Sequence, residues 1–246
     1  MAELVVGVIG AGVMGSGIAQ VLAAAGCRAL AYDISEAALE KARELVSRGR
    51  YGLAGAVERG KLSREQADAA LARIEFTSQF EAAAQADLVV ECVPEDLGLK
   101  LKTFRRLDAA APARAILASN TSGFPIAALA GVTDRADRVV GWHWASPPPV
   151  MKLAEIVATP ETSEATLKTV CALASACGKN PVVVKDTATA WGFVANRVYA
   201  AMLREAARVV DEGIATHEQV NQLMVDCFRW PVGPFAMVKG ATGGWK

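Results

Sequence analysis

The sequence predicts an α/β fold: a mostly parallel sheet followed by a small all-helical domain. Three observations carry that prediction. Apolar runs of strand length alternate with stretches of helical period as far as about residue 187. The first run, residues 4–9, leads straight into Gly10-Ala11-Gly12-Val13-Met14-Gly15 and an alanine-rich helix. Beyond Gly192 the strand pattern stops and only helical periods remain.

Residues 4–9 read as a strand buried on both faces, because a continuous β-branched run bounded by glycine offers no solvent side. In the helix that follows, Ile18, Val21 and Leu22 recur at helical spacing, and Gly26 stops it. The glycines between strand and helix each have a physical reason. Gly10 permits the tight turn, Gly12 lets a pyrophosphate approach the backbone, and Gly15 lets the helix lie close on the strand. The helix N-terminus then offers N–H groups and a positive dipole end. A second strand, residues 28–32, ends in Asp33, 18 residues past Gly15, where an acid can bind a ribose 2′-hydroxyl. No arginine adjoins Asp33, which favours NAD over NADP, since the carboxylate would repel a 2′-phosphate. The plainer alternative is an ordinary tight turn with Asp33 as a helix cap. The strand–turn–helix–strand context selects a Rossmann-type dinucleotide site, with Gly10, Gly12, Val13, Met14, Gly15 and Asp33 at the cofactor.

Residues 35–47 form a charged amphipathic helix capped by Ser35 or Asp33. Gly49, Gly52, Gly55 and Gly60 then loosen the chain, and Ser63 to Gln66 is a capping box for a helix running to about Arg73. Strands are expected at 74–77, 86–93, 115–118, 138–142, 153–157 and 181–185. Helices are expected at 97–110 with Leu99, Phe104 and Leu107 packing inward, at 125–130 and 163–176, then at 193–212 and 216–228. The composition shift at 186–191 separates a dinucleotide-binding domain, 1–187, from a helical C-terminal domain, 188–246.

Bulk properties narrow the function. The 246 residues are 52% hydrophobic, enough for a sizeable core, and 26 basic residues balance 26 acidic ones. With no basic stripe, nucleic acid is not an expected partner. Charges or glycines interrupt every apolar run before membrane-spanning length. The N-terminus lacks a signal-peptide pattern, so a cytoplasmic location is expected. Five cysteines without a CxxC pair and only two histidines predict neither disulfide nor metal site.

Open α/β sheets bind ligands beyond the carboxyl ends of their strands. Asp33, Glu95, Ser119-Asn120-Thr121-Ser122 and His143 all stand at expected strand ends, and Asn120 joins the cofactor set. His143 precedes Pro147-Pro148-Pro149, which stiffens its loop, and Glu155 follows 12 residues later inside an apolar strand. A buried carboxylate needs a partner, and an imidazole with an orienting acid is a general base. Taken singly, His143 could cap a loop and Glu155 could lie on an exposed edge. His217, in the first turn of a polar helix, reads as surface. Asn196 opens the first helix past the boundary.

GAGVMGSGIAQ, the acid at 33, VVECVPED, ASNTS, the HxxxPxPVMKLxEIV stretch from 143, VVVKDT, GFVANR and PVGPF occur in one order. In that order they resemble the L-3-hydroxyacyl-CoA dehydrogenase family over nearly the whole chain. The resemblance implies a two-domain dehydrogenase that oxidises an L-3-hydroxyacyl-CoA and passes hydride to NAD. His143 would take the hydroxyl proton, Glu155 would orient it, Ser122 would hydrogen-bond the reacting oxygen, and Asn196 would position the substrate. Glu95 and Lys100 would contact the cofactor. It also implies a homodimer built through the C-terminal helices.

Four departures stand out. The family's HFFNP is here His143-Trp144-Ala145-Ser146-Pro147, and KDTPGF becomes Lys185-Asp186-Thr187-Ala188-Thr189-Ala190-Trp191-Gly192-Phe193, about three residues longer. A serine and a lysine that hold CoA in the family correspond to Gly49 and Ala56, with Ser47, Arg48 and Arg50 close by. Family members also continue for several helices after the GPF motif, so the C-terminal domain reads as shortened, with apolar faces exposed. Two further readings follow: a dehydrogenase of a free hydroxy acid such as carnitine or L-gulonate, or an NAD-binding protein with little turnover.

Overall fold

The structure, a computed structural model, describes residues 4–189 and 191–243, with side chains through residue 238. The chain divides into two compact units, Met1–Thr189 and Ala190–Lys246. The first holds β1 (Val5–Ile9), α1 (Val13–Ala24), β2 (Arg28–Tyr32), α2 (Glu36–Arg48), α3 (Leu53–Glu58), α4 (Arg64–Ala72), β3 (Ile74–Thr77) and α5 (Phe80–Ala84). It continues with β4 (Leu88–Glu91), α6 (Leu97–Ala110), β5 (Ile116–Ser119), α7 (Ile126–Ala130), β6 (Val139–Trp144), β7 (Leu153–Ala158), α8 (Glu164–Ala176) and β8 (Asn180–Lys185).

The strands form one sheet in the order β3-β2-β1-β4-β5-β6-β7-β8. Every neighbouring pair is parallel except β6 and β7. The chain leaves β1 first toward β2 and β3, then returns to lay β4 on the other side. That reversal opens a crevice beyond the carboxyl ends of β1 and β4. Val6, Val8, Leu88, Val90, Ala118, Val140, Trp142 and Ile156 are buried, as strands covered on both faces must be. The predicted Rossmann-type α/β class is thus the fold observed, with one antiparallel turn at β7.

The glycine turn is sterically compulsory at two positions. Gly10 has φ +103°, and a β-carbon there would meet Cys92 O at 2.6 Å. A β-carbon at Gly15 would collide with Gly10 O, so α1 lies on β1 only because that carbon is missing.

Several local expectations are corrected. The glycine-punctuated stretch after α2 holds a helical turn and a half, α3, rather than open loop. A short helix, α5, follows β3 unannounced by its alanine-rich sequence. Ser35, not Asp33, caps α2, through its side chain and Ala38 N–H. The capping box of Ser63 and Gln66 is present on α4. In α6 the inward face is Lys100, Thr103, Phe104 and Leu107, while Leu99 is 39% exposed. The phase set by Phe104 and Leu107 places position 100 inward, four residues before Phe104.

The second unit contains α9 (Ala195–Asp211), α10 (His217–Phe228) and α11 (Pro234–Gly243). Proline at the first position of α11 is a start signal, since its missing N–H would go unused there. Asn221 of α10 ties the motif Gly233-Pro234-Phe235 down, its Oδ1 accepting from Phe235 N–H at 2.9 Å. His217 is exposed, as expected, and its ring meets Phe235 edge-on at 4.3 Å. Trp191, Val194, Val198, Leu223 and Phe228 are exposed apolar residues of this unit. Of the expected link 185–193, residue 190 lies outside the described residues, as does 244–246 of the expected C-terminal domain.

The five cysteines are all free thiols. Burial and the neighbouring Glu91 carboxylate push Cys92 up, and burial pushes Cys177 up to about 12. At pH 8 a thiol reagent is expected to label exposed Cys227 quickly, and the partly buried Cys92 and Cys177 far more slowly. Quick labelling of Cys177 in the folded protein would contradict this.

Candidate active site

The topology gathers the singled-out residues of the first unit on one rim. Strands β2, β1, β4, β5 and β6 are side by side and parallel, so their carboxyl ends share an edge of the sheet. Asp33 follows β2, Gly10 follows β1, Glu95 lies shortly after β4, Asn120 and Ser122 follow β5, and His143 is the penultimate residue of β6.

At β1, the first turn of α1 has Gly12 as its N-cap and no side-chain cap. Nothing lies within 4 Å of where a Gly12 β-carbon would be, and Val13 is 63% exposed. Uncapped N–H groups facing open space are what a pyrophosphate requires. Asp33 turns one carboxylate oxygen onto Ala11 N–H at 3.0 Å and the other onto Ser35 N–H at 3.0 Å. It therefore stiffens the turn itself, and each oxygen keeps a lone pair for a ribose hydroxyl. These residues fit a dinucleotide.

His143 lies within β6, not after it: the strand runs two residues past the expected end at Trp142, because backbone pairing with β7 continues. In the antiparallel register His143 stands directly opposite Glu155. A cross-strand pair has its β-carbons near enough for the side chains to touch. Nδ1 of His143 meets Oε2 of Glu155 at 2.7 Å, and both side chains are almost completely buried. The carboxylate accepts the Nδ1 hydrogen, which puts the proton-accepting lone pair on Nε2. Next door, Asn120 Oδ1 accepts from Trp144 N–H at 2.9 Å and so ties the end of β5 to the strand of the imidazole.

A second cluster was only partly legible. Glu95 Oε1 accepts from Thr121 Oγ1 at 2.5 Å and from Ser122 N–H at 2.8 Å. Its Oε2 lies 3.1 Å from Lys100 Nζ. Lys100, expected at the cofactor, is 1% exposed, with the partly exposed Glu95 against its ammonium. Its Nζ also pairs with Glu91 Oε1 at 2.8 Å and donates to Val93 O at 3.2 Å. Sequence reasoning passed over Glu91, although a carboxylate inside the apolar run VVECV was a signal. Glu91 Oε1 also accepts from Val93 N–H at 2.7 Å, and Oε2 from Ser119 Oγ at 2.6 Å. Ser119 Oγ in turn accepts from Thr121 N–H at 3.1 Å.

Burial pushes the Glu91 carboxyl up, and Lys100, Ser119 and Val93 N–H pull against it. Burial alone would lower Lys100, but the charges and hydrogen bonds of Glu91 and Glu95 outweigh it and hold its pKa above the ordinary lysine value. Oε1 of Glu91 thus faces two donors, Val93 N–H and Lys100 Nζ. Asn196 is an exposed residue near the start of α9 in the second unit.

An imidazole backed by a carboxylate, on the same rim as a dinucleotide turn, suits one kind of chemistry: it takes the hydroxyl proton of an alcohol whose carbon loses a hydride. The protein is an NAD-dependent oxidoreductase. Residues 5–187 match the family described as "3-hydroxyacyl-CoA dehydrogenase, NAD binding domain", and residues 192–245 match "3-hydroxyacyl-CoA dehydrogenase, C-terminal domain". The chain belongs to the 3-hydroxyacyl-CoA dehydrogenase family. A probable 3-hydroxybutyryl-CoA dehydrogenase of Bacillus subtilis is 41% identical over 94% of this chain and 78% of that protein. The 5-formyl-3-hydroxy-2-methylpyridine 4-carboxylate 5-dehydrogenase of Mesorhizobium japonicum is 35% identical over 93% of this chain and 70% of its own length. Among solved structures, (S)-3-hydroxybutyryl-CoA dehydrogenase from Ralstonia eutropha matches with a TM-score of 0.89 and 37% identity, over 96% of this chain and 81% of the other.

Proposed function

We propose that this protein oxidises a short L-3-hydroxyacyl-CoA, of the size of 3-hydroxybutyryl-CoA, to its 3-oxo form. The observation that carries the proposal is the 2.7 Å contact between His143 and Glu155. His143 removes the proton from the 3-hydroxyl through Nε2. Glu155 fixes the tautomer and balances the imidazolium as it forms. The Ser122 hydroxyl donates to the reacting oxygen, from a loop held by Glu95. Asn196 orients the substrate. The glycine turn and Asp33 hold NAD, which supplies the hydride acceptor when bound. Val13, Met14, Glu95 and Asn120 border it, with Lys100 behind Glu95. The exposed apolar side chains of the helical unit support a homodimer, and we place the protein in the cytoplasm.

Recognition of CoA rests on different residues from the family's serine and lysine. Gly49 closes α2 and Ala56 lies in α3, and neither carries a hydroxyl or an ammonium. Ser47, Arg48 and Arg64 instead line a cavity of about 340 Å³ against Leu53 and Val57. Arg48 binds a CoA phosphate there in this reading. The loss of the family pair favours a second reading, a free hydroxy acid as substrate, and the Mesorhizobium relative is named for a pyridine carboxylate.

The test is NADH formation from 3-hydroxybutyryl-CoA, free 3-hydroxybutyrate, carnitine and L-gulonate. Turnover is expected only with the thioester. Arg48→Ala is expected to raise the KM for it about tenfold with kcat unchanged, the signature of lost uniform binding. Turnover confined to the free acids would select the second reading. NAD binding by titration without turnover of any of them would reject both.

A further inference from the structure

We propose that Lys179 is a positioning residue for the His143–Glu155 pair: its ammonium clamps the loop between β6 and β7 against the cofactor helix α1. The inference rests on the functional reading above. Lys179 lies in the turn between α8 and β8 and is 6% exposed. Its Nζ donates to Pro148 O at 2.6 Å and to Met151 O at 2.8 Å, and sits 5.3 Å from the centre of the Trp144 ring. Among the described residues no carboxylate pairs with it. Burial pushes its pKa down, as it must for an ammonium with only carbonyl dipoles and a ring face to replace water.

A buried charge without a counter-ion is a poor way to gain stability, since an apolar side chain would fill the space without the desolvation cost. What the ammonium does here is geometric. Pro148 and Met151 belong to the one connection between the strand of His143 and the strand of Glu155. Holding both carbonyls from below fixes where that connection lies. Its other side is fixed by α1: a β-carbon at Gly17 would meet Pro148 Cδ and Cγ at 3.1 Å. Pro148 is therefore gripped between Lys179 and the helix whose N-terminus receives the dinucleotide. The grip thus couples the loop that follows the imidazole strand to the cofactor helix.

Two variants attack the grip from opposite sides. Lys179→Met releases the carbonyls, and Gly17→Ala pushes Pro148 outward while keeping the lysine. Each is expected to lower kcat on 3-hydroxybutyryl-CoA about tenfold or more, because small misplacements of reacting groups are costly, with the NAD dissociation constant nearly unchanged. The double variant is expected to lose about as much as the worse single one, since both displace the same loop. Amide exchange at Val150 and Met151, both bonded to Pro147 O, is expected to quicken in Lys179→Met. Wild-type kcat in Lys179→Met, unchanged exchange, or fully additive losses would overturn the proposal. If Lys179→Met does not fold, Gly17→Ala decides alone, and unchanged kcat there overturns it. Should the unaltered protein turn over none of the substrates, the functional reading fails instead, while amide exchange, which needs no substrate, still decides the clamp.

Discussion

His143→Ala is expected to lower kcat by about 10²- to 10⁴-fold, the range that a positioned general base supplies. NAD affinity is expected to stay near the wild-type value. In the proposed reading the glycine turn after β1 and Asp33 hold the cofactor, and the hydrogen bonds of Asp33 do not involve the imidazole. The loss should therefore fall on kcat and not on NAD binding by titration. Glu155→Gln should fall between the two proteins, since a glutamine oxygen still accepts from Nδ1 but carries no charge against the imidazolium. Full turnover in His143→Ala would remove the assigned base, and with it the reading of the rim as an oxidoreductase site.

Glu91→Leu is expected to cost about 3–5 kcal/mol of stability, the penalty for leaving a buried charge without its main partner. For a chain of this size that is a fall in Tm on the order of 10 °C. The reason lies in the arrangement around Lys100. Its ammonium is 1% exposed, and the remaining carboxylate, Glu95, lies 3.1 Å away and is partly in solvent. Ser119 Oγ and Val93 N–H would lose their acceptor in the same step. Adding Lys100→Met to Glu91→Leu should recover much of the loss, because the pair is then replaced by apolar groups of similar size. Thermal unfolding of the two variants beside the wild type checks this. If Glu91→Leu melts with the wild type, or the double variant melts below the single one, the ion pair is not the cause.

The legible and illegible parts of the chain divide along a physical line. Strands β1, β2, β4 and β6 were readable because burial on both faces leaves continuous apolar runs. Capping boxes were readable because they need particular side chains three residues apart, as at Ser63 and Gln66. Helix α3 was hidden because glycines at 49, 52 and 60 flank it and Gly55 lies within it, and packing of Leu53 outweighs the helix cost of Gly55. The end of β6 was misjudged at Trp142 because strand length is settled by backbone pairing with β7, which side-chain hydropathy does not report. Lys100 was expected to contact the cofactor, whereas its side chain is 1% exposed. A lysine is tolerated inside α6 only because Glu91, on a strand nine residues earlier, faces it. Lys179 gave no signal at all, since its partners are backbone carbonyls and backbone has no sequence identity.

By itself the sequence determined the Rossmann-type class, the dinucleotide turn and the family, because these depend on local patterns: glycine where no β-carbon fits, apolar runs, and residue types at fixed spacing. It also put His143 and Glu155 forward as a candidate pair, an imidazole oriented by an acid. Only the tertiary structure decided that they meet. A turn between antiparallel strands sets the register, and register alone determines whether residues 143 and 155 face each other or face opposite sides of the sheet. The same holds for the ring of Glu91, Lys100, Glu95 and Ser119, whose members come from different elements and offset one another's desolvation only where the fold brings them together.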